Sequence, residues 1–409
     1  MTTKIREGYK QTEVGVIPED WEFSELRDYF SFISYGFTNP MPTMTDGVYM
    51  ITANDINNGR LKLETSRKTS ELAFKTLLSD KSRPKKNDIL LTKDGTLGRL
   101  ALVGNDKICI NQSVAVIRPN IKIYPLFLKL LLEGTYYQKT MIDNAGGSTI
   151  KHIYITVVDK MNVAIPPTKS EQTAIASALN DADALITSLE KLIEKKRAIK
   201  QGAMQELLKP KEGWVMKTLG EIATIVRGAS PRPIEDPKWF DEQSSIGWVR
   251  ISDVTKSNKF LLETTQKLSE IGIKNSRYVE TGNLIMSICA TVGRPILTKI
   301  DVCIHDGFVV FRNPQISKEY LYYFLNFIER DWAKNGQTGS QMNLNTNLIN
   351  STKIPFPKEE SIQTRIATIL SDMDAEITAL EQKLGNYKLI KQGMMQELLT
   401  GKIRLVERT

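Results

Sequence analysis

Cysteine and histidine are scarce, with three cysteines and two histidines among 409 residues. Cys109, Cys289 and Cys303 lie far apart and form no CxxC pair. A disulfide framework or zinc site is therefore not expected, and reduced core thiols of a cytoplasmic protein are. His152 and His305 alone give a histidine-based triad or metal centre little to draw on. Long apolar runs are missing too. Leu126 to Leu132 is broken by Lys129 and falls far short of the ~20 residues of a membrane helix. The opening Met1-Thr-Thr-Lys-Ile-Arg-Glu7 lacks the apolar core of a secretory signal, so no membrane partner is expected.

Catalytic signatures are equally absent. No GxxxxGK[ST] phosphate loop occurs, and no GxGxxG opens a helix. An adenine amino-methyltransferase would carry Asn/Asp-Pro-Pro-aromatic. The nearest stretch, Asn39-Pro-Met-Pro42, lacks both the second proline in place and the aromatic. Asp88 with Lys93, and Glu64 with Lys68, could be read as nuclease carboxylate–lysine groups, but such pairs are common by chance. The expectation is a chain with no catalytic residue, metal site or cofactor of its own.

What the chain does have is positive charge and a repeat. A formal charge of +8 favours a polyanionic partner, nucleic acid ahead of an anionic membrane. Its length exceeds what one core usually fills, so two or three domains are expected. Lys200-Gln-Gly-Ala-Met-Gln-Glu-Leu-Leu208 recurs as Lys391-Gln-Gly-Met-Met-Gln-Glu-Leu-Leu399, and 172–208 matches 363–399 without gaps at 21 of 37 positions.

Both copies have the pattern of long helices. Ile175, Leu179, Ala182, Ile186, Leu189, Ile193, Lys196, Lys200, Ala203 and Leu207 step by four and three, as do their counterparts from Ile366 to Leu398. That is the 3.5-residue period of a coiled-coil seam, interrupted by lysines near the C-terminal ends. Each helix would extend about 55 Å at 1.5 Å per residue. Gly202 and Gly393 are either tolerated or mark a break, and Ser170 and Glu360-Ser361 are the candidate caps after the prolines.

The flanking segments repeat more faintly. Asp88 to Arg99 resembles Asn283 to Arg294, and Ile108 to Arg118 resembles Val302 to Arg312. Short apolar strands alternate with Gly and Asn/Asp turns, so each segment reads as mostly β with one or two helices. Leu126 to Gln138 and Tyr320 to Ala333 each read as one helix. The fold class is therefore α+β: two globular, mostly-β domains separated by two long helices that pair as an antiparallel coiled coil, with a pseudo-twofold internal repeat. The boundaries are 1–168, 169–209, 210–358 and 359–409. A duplicated scaffold whose helices only dimerise stays open at this point.

The order of globule, helix, globule and helix resembles the specificity subunits of type I restriction–modification enzymes along essentially the whole chain. Gly8-Tyr-Lys-Gln-Thr-Glu-Val-Gly-Val-Ile-Pro-Glu-Asp-Trp21 carries the likeness. So do Pro166-Pro167 before Glu171-Gln172, and the closing Leu398-Leu-Thr-Gly-Lys-Ile-Arg404. The resemblance implies that each globule is a target-recognition domain reading one half of a bipartite site on double-stranded DNA. It implies helices that set the spacing and dock two methyltransferase subunits, which bind S-adenosylmethionine and methylate adenine. It also implies motor-nuclease (restriction) subunits that use ATP, with magnesium likewise on the partners. Because the globules differ in their loops, the two half-sites should differ in sequence. A specificity subunit serving a fused methylase-nuclease, a coiled-coil adaptor and a self-sufficient nuclease are the competing readings.

Candidate DNA contacts are basic and amide side chains near Gly-rich or polar turns. In the first globule these are Asn54, Arg60, Lys93, Arg99, Ser148 and Lys151. In the second they are Arg232, Arg250, Lys256, Arg294, Ser340, Gln341 and Asn343, with Asn335 to Asn345 the favoured readout loop. Gly98-Arg99 and Gly293-Arg294 recur at matched positions, which fits shared phosphate anchoring and a structural turn equally. His305, matched with Asn111, reads as a satisfied core group. Lys191, Lys195, Lys196, Arg197 and Lys200 are either a basic patch or the wet face of a helix.

Overall fold

The repeated segment is helical both times, as Lys169–Leu208 and Glu360–Leu398, in a computed structural model that describes residues 5–147, 151–335 and 344–405. The caps lie slightly earlier than Ser170 and Glu360-Ser361. Thr168 Oγ1 accepts the Glu171 N–H at 3.3 Å, and the Glu359 carbonyl accepts from Ile362 and Gln363. Prolines 166–167 and 357 disfavour a helix before them, so the helix starts as soon as they end. Gly202 and Gly393 do not break the helices. Open space surrounds the place of each missing Cβ, and a cost of about 1 kcal/mol is absorbed by the residues on either side.

The molecule divides into two compact units, Met1–Glu190 with Lys383–Thr409, and Lys191–Gln382. In the first unit a four-stranded antiparallel sheet runs Leu100–Leu102, Ile89–Thr92, Val114–Pro119, Phe30–Tyr35. A second sheet pairs Ile108–Ile110 parallel to Val48–Ile51, with Arg67–Thr69 outside. In the second unit the order Pro295–Thr298, Leu284–Ser287, Phe308–Arg312, Thr224–Arg227 repeats the first sheet, with Phe260–Leu261 added at the edge. Val302–Ile304 pairs parallel to Gly247–Val249, as in the first unit.

The helix expected after each sheet is two helices. Pro125–Leu132 is followed by Thr135–Asp143, and Lys318–Phe327 by Glu329–Asn335. Gly134 takes an extended conformation, and a Cβ there would lie 2.9 Å from the Leu131 carbonyl. In the second unit the break falls at Ile328, and acidic Glu329 and Asp331 favour a fresh helix N-terminus.

Each unit builds its main core where its sheet helix meets two long-helix ends. In the first, Phe127, Leu128 and Leu131 pack with Ile175 and Leu179 and with Leu398 and Leu399. In the second, Tyr320, Leu321 and Phe324 pack with Ile366 and Leu370 and with Met204 and Leu208. The start of one long helix therefore shares a core with the end of the other, and the helices pair antiparallel in each unit. The seam lysines lie in this pairing rather than breaking it. Lys391 meets Asp183 at 2.6 Å in the first unit, and Lys200 meets Asp374 at 2.5 Å in the second. Lys388–Glu190 and Arg197–Glu381 are a second such set, at 2.7 and 2.6 Å. Both sets are related by the sequence repeat. Among the described residues no helix is long and apolar enough to cross a membrane.

Candidate nucleic-acid interface

Two turns at the edge of each parallel strand pair have the same backbone and different side chains. After Ile110, the Asn111 Oδ1 accepts the Ser113 N–H at 3.1 Å; after Ile304, the His305 Nδ1 accepts the Gly307 N–H at 2.9 Å. After Ile51, the Thr52 N–H donates to Asp55 Oδ2 at 2.8 Å; after Val249, the Arg250 N–H donates to Asp253 Oδ2 at 2.9 Å. A glycine lies flush on each first turn. A Cβ on Gly36 would fall 1.8 Å from the Ile110 carbonyl oxygen, and one on Gly228 2.0 Å from that of His305. Neither glycine admits a side chain, so the frame is fixed at these points.

The matched arginines share a structural task. Arg99 Nη1 donates to the Ile56 carbonyl at 3.1 Å, and Arg294 Nη2 to that of Ser257 at 2.9 Å. The glycine before each has positive φ, +80° and +83°. Gly98-Arg99 and Gly293-Arg294 are thus a repeated turn whose arginine ties down a neighbouring loop.

The other expected contacts fall into groups. Asn54 is exposed on the short helical turn Ala53–Asp55, and Arg60 is exposed on the strand Arg60–Leu61. Lys93 is half-buried, 2.8 Å from Asp94 and over the Tyr35 ring. Asp94 also holds His152 Nδ1 at 2.6 Å, which places exposed Lys151 at the same edge. Arg232 and Arg250 come together at a pocket of about 180 Å³. Lys256 and Arg294 line a larger groove of about 1580 Å³ with Arg197 and Lys200. Ser148, Ser340, Gln341 and Asn343, with most of the favoured 335–345 loop, lie outside the described residues.

Two sequence readings dissolve. Asp88 is held by Arg118 at 2.7 and 2.9 Å and accepts the Lys85 N–H, while Lys93 pairs with Asp94 instead. The helix patch is largely spoken for: Lys196, Arg197 and Lys200 pair with Glu376, Glu381 and Asp374.

The model of the type I restriction modification DNA specificity domain matches twice, over residues 18–201 and 211–387. The chain belongs to the type I restriction–modification DNA specificity family. It is 23% identical over 434 residues to the MjaVIII specificity subunit of Methanocaldococcus jannaschii, across 98% of this chain and 96% of that one. To the EcoBI specificity subunit of Escherichia coli it is 30% identical over 202 residues, 47% of this chain and 41% of the relative. The fold matches the S subunit of a type I restriction–modification system from M. genitalium with a TM-score of 0.60. That match has 16% identity and covers 97% of this chain and 98% of the other.

Each of the two specificity domains therefore carries one copy of the frame, and the side chains on it distinguish them. Sequence reasoning passed over Ser230, Trp248 and Asp306, which line the smaller pocket, and took His305 beside them for a core group. Burial lowers the His305 pKa, with Arg250 adding to the effect and Asp306 opposing it. The Ser230 hydroxyl, donating to Asp306 Oδ1 at 2.7 Å, holds that carboxyl below its usual range. The signal that could have found them was the mismatch of His305 with Asn111, which invited a core reading because the flanking strand is apolar. Cys109 and Cys303 belong to the interior, where burial pushes their thiols up to about 12 and about 11, whereas Cys289 is half-buried.

Proposed function

We propose that this chain is the non-catalytic DNA-reading subunit of a type I restriction–modification complex. Each globule reads one half of a bipartite, asymmetric site on double-stranded DNA. The paired helices set the half-site spacing and dock two adenine methyltransferase subunits, and motor-nuclease (restriction) subunits complete the assembly. S-adenosylmethionine, ATP and magnesium belong to those partners, where methylation, translocation and cleavage take place.

The observation that supports this best is one backbone frame built twice, with the same ion pairs and turns and with different side chains on top. Phosphate contacts position a protein on the duplex, whereas base contacts specify sequence. A subunit reading two unlike half-sites needs a common frame and two different reading surfaces. A repeat-related pair of readers also suits a duplex whose half-sites share a face when their centres lie about 34 Å apart.

The test is to co-express the chain with its neighbouring methyltransferase gene in a methylation-deficient host and to map adenine methylation. A split motif with unlike halves, lost when this chain is omitted, is the expected result. A soluble complex with an active methyltransferase but no new methylation would turn the assignment toward a coiled-coil adaptor. A palindromic motif would contradict the two-reader account.

A further inference from the structure

We infer that the pocket of Arg232, Arg250 and His305 reads the acceptor edge of a guanine in one half-site, a specificity-determining role that rests on the function proposed above. The case begins with proton positions. His305 Nδ1 accepts the Gly307 N–H at 2.9 Å, so that nitrogen carries no hydrogen. In a neutral imidazole the proton then resides on Nε2, and burial keeps the ring neutral by lowering its pKa. The ring is also held in place, with Phe308 edge-on at 4.8 Å and Trp248 at 5.8 Å between centroids. His305 therefore presents one fixed donor, Nε2–H, which makes no hydrogen bond within the described residues.

The rest of the lining has the same polarity. Arg250 is exposed and close enough to His305 to lower its pKa, and its backbone N–H, not its guanidinium, serves the Asp253 turn. Arg232 is exposed and reaches Asp306 only at 3.4 Å. Trp248 is fully buried and contributes its ring to the lining, 5.8 Å from that of His305 between centroids. The carboxylate of the group, Asp306, accepts from the Ser230 hydroxyl on one oxygen at 2.7 Å and has Arg232 beside the other at 3.4 Å. A pocket of about 180 Å³ that offers donors and sets its carboxylate against donors of its own selects an acceptor-rich ligand.

In DNA that ligand is a phosphate or the O6/N7 edge of guanine, which arginine reads with two hydrogen bonds in the major groove. The repeat decides between them. A phosphate contact carries no sequence information, so a reader built twice would repeat it. Here the backbone repeats and the heads do not: Arg250 stands where the first unit has Thr52, and His305 where it has Asn111. Divergence on a constant frame is what base readout requires.

The experiment uses the full chain in its methyltransferase complex, with methylation motifs mapped for wild type, Arg250→Ala and His305→Asn. Asn111 already holds the equivalent turn with its side-chain oxygen, so His305→Asn keeps the turn and removes only the reach of Nε2. Arg250→Ala is expected to relax one guanine position in one half-site, with discrimination there falling on the order of ten- to a hundredfold. His305→Asn should act at the same or the adjacent base pair, and the other half-site and the spacing should not change. An unchanged motif with uniformly weaker binding and a shallower salt dependence would make this a phosphate contact and overturn the proposal. So would unchanged motif and affinity in both variants. A wild-type complex that yields no split motif overturns the function beneath it, before any variant is compared.

Discussion

The two units share their frame and differ in how they are closed. Gln172 and Gln363, both buried, do the same job. Gln172 accepts the Tyr124 N–H at 2.7 Å and donates to the Pro166 carbonyl at 3.1 Å; Gln363 accepts the Ser317 N–H and donates to the Pro357 carbonyl, both at 2.8 Å. Each amide stitches the first turn of a long helix to its own globule. One position earlier the symmetry fails. Glu171, 1% exposed, is gripped by Arg404 from the C-terminal segment, and Arg404 also meets Asp20 at 3.0 Å. The repeat partner of Glu171 is Ile362, which is exposed. The first unit is thus closed by a chain end that passes Trp21 and Pro18 at Gly401, and the second has no equivalent ion pair among its described residues. Duplication kept the helix-to-globule stitches and left the closures free to differ.

The largest break in this comparison is Arg404→Ala. It strands the Glu171 carboxylate in the interior, and losing one partner of a buried pair costs about 3 kcal/mol or more. Hydrogen exchange should quicken in the strands Tyr9–Thr12 and Gly15–Pro18, while Trp214–Thr218 keeps its protection. Equal loss of protection in both units would mean that Arg404 does not serve the first unit alone.

The paired test of the shared part is Gln172→Ala beside Gln363→Ala. Gln172→Ala leaves the Tyr124 N–H and the Pro166 and Lys122 carbonyls without this partner, and Gln363→Ala the Ser317 N–H and the Pro357 carbonyl, for a loss of about 1–3 kcal/mol each. The two sites share no hydrogen-bond partner, so the losses should add in the double variant. Denaturant unfolding of the single and double variants measures this. Clearly unequal losses would show that the stitches only look alike.

How much of this was legible beforehand follows from range. The helices, their pairing and the duplication were readable because the seam at Ile175, Leu179, Ile186 and Leu189 is a local period written twice. Glu171-Gln172 stood out only as part of a family-like phrase, since its partners Tyr124 and Arg404 are 48 and 233 residues away. The seam lysines looked like interruptions because Asp183 and Asp374 come from the other helix. At the candidate interface, Arg232 and Arg250 were legible as exposed basic residues in turns. The proposed role of His305 was not, because it depends on which ring nitrogen a backbone N–H two residues on occupies. Arg99 and Arg294 were ambiguous for the same reason: the carbonyls they hold, Ile56 and Ser257, lie about forty residues upstream.

The smallest effect separates the matched turns by titration. Burial lowers the folded-state pKa of His305 below its ordinary value of 6.5, Arg250 lowers it further, and Asp306 works against both. As pH falls below about 6.5 the unfolded chain therefore binds this proton before the folded chain does, and stability rises with pH across that window. The second unit should lose stability from pH 7 toward pH 5.5 by a step that His305→Asn removes, since the asparagine keeps the turn and does not titrate. Installing the ring at the other turn, Asn111→His, should add a comparable step to the first unit if its surroundings bury the ring as deeply. Denaturant midpoints at the two pH values decide it. An undiminished slope in His305→Asn would assign the acid sensitivity to carboxylates elsewhere. A flattened slope would establish that one turn, built twice, is pH-responsive only where it carries the histidine.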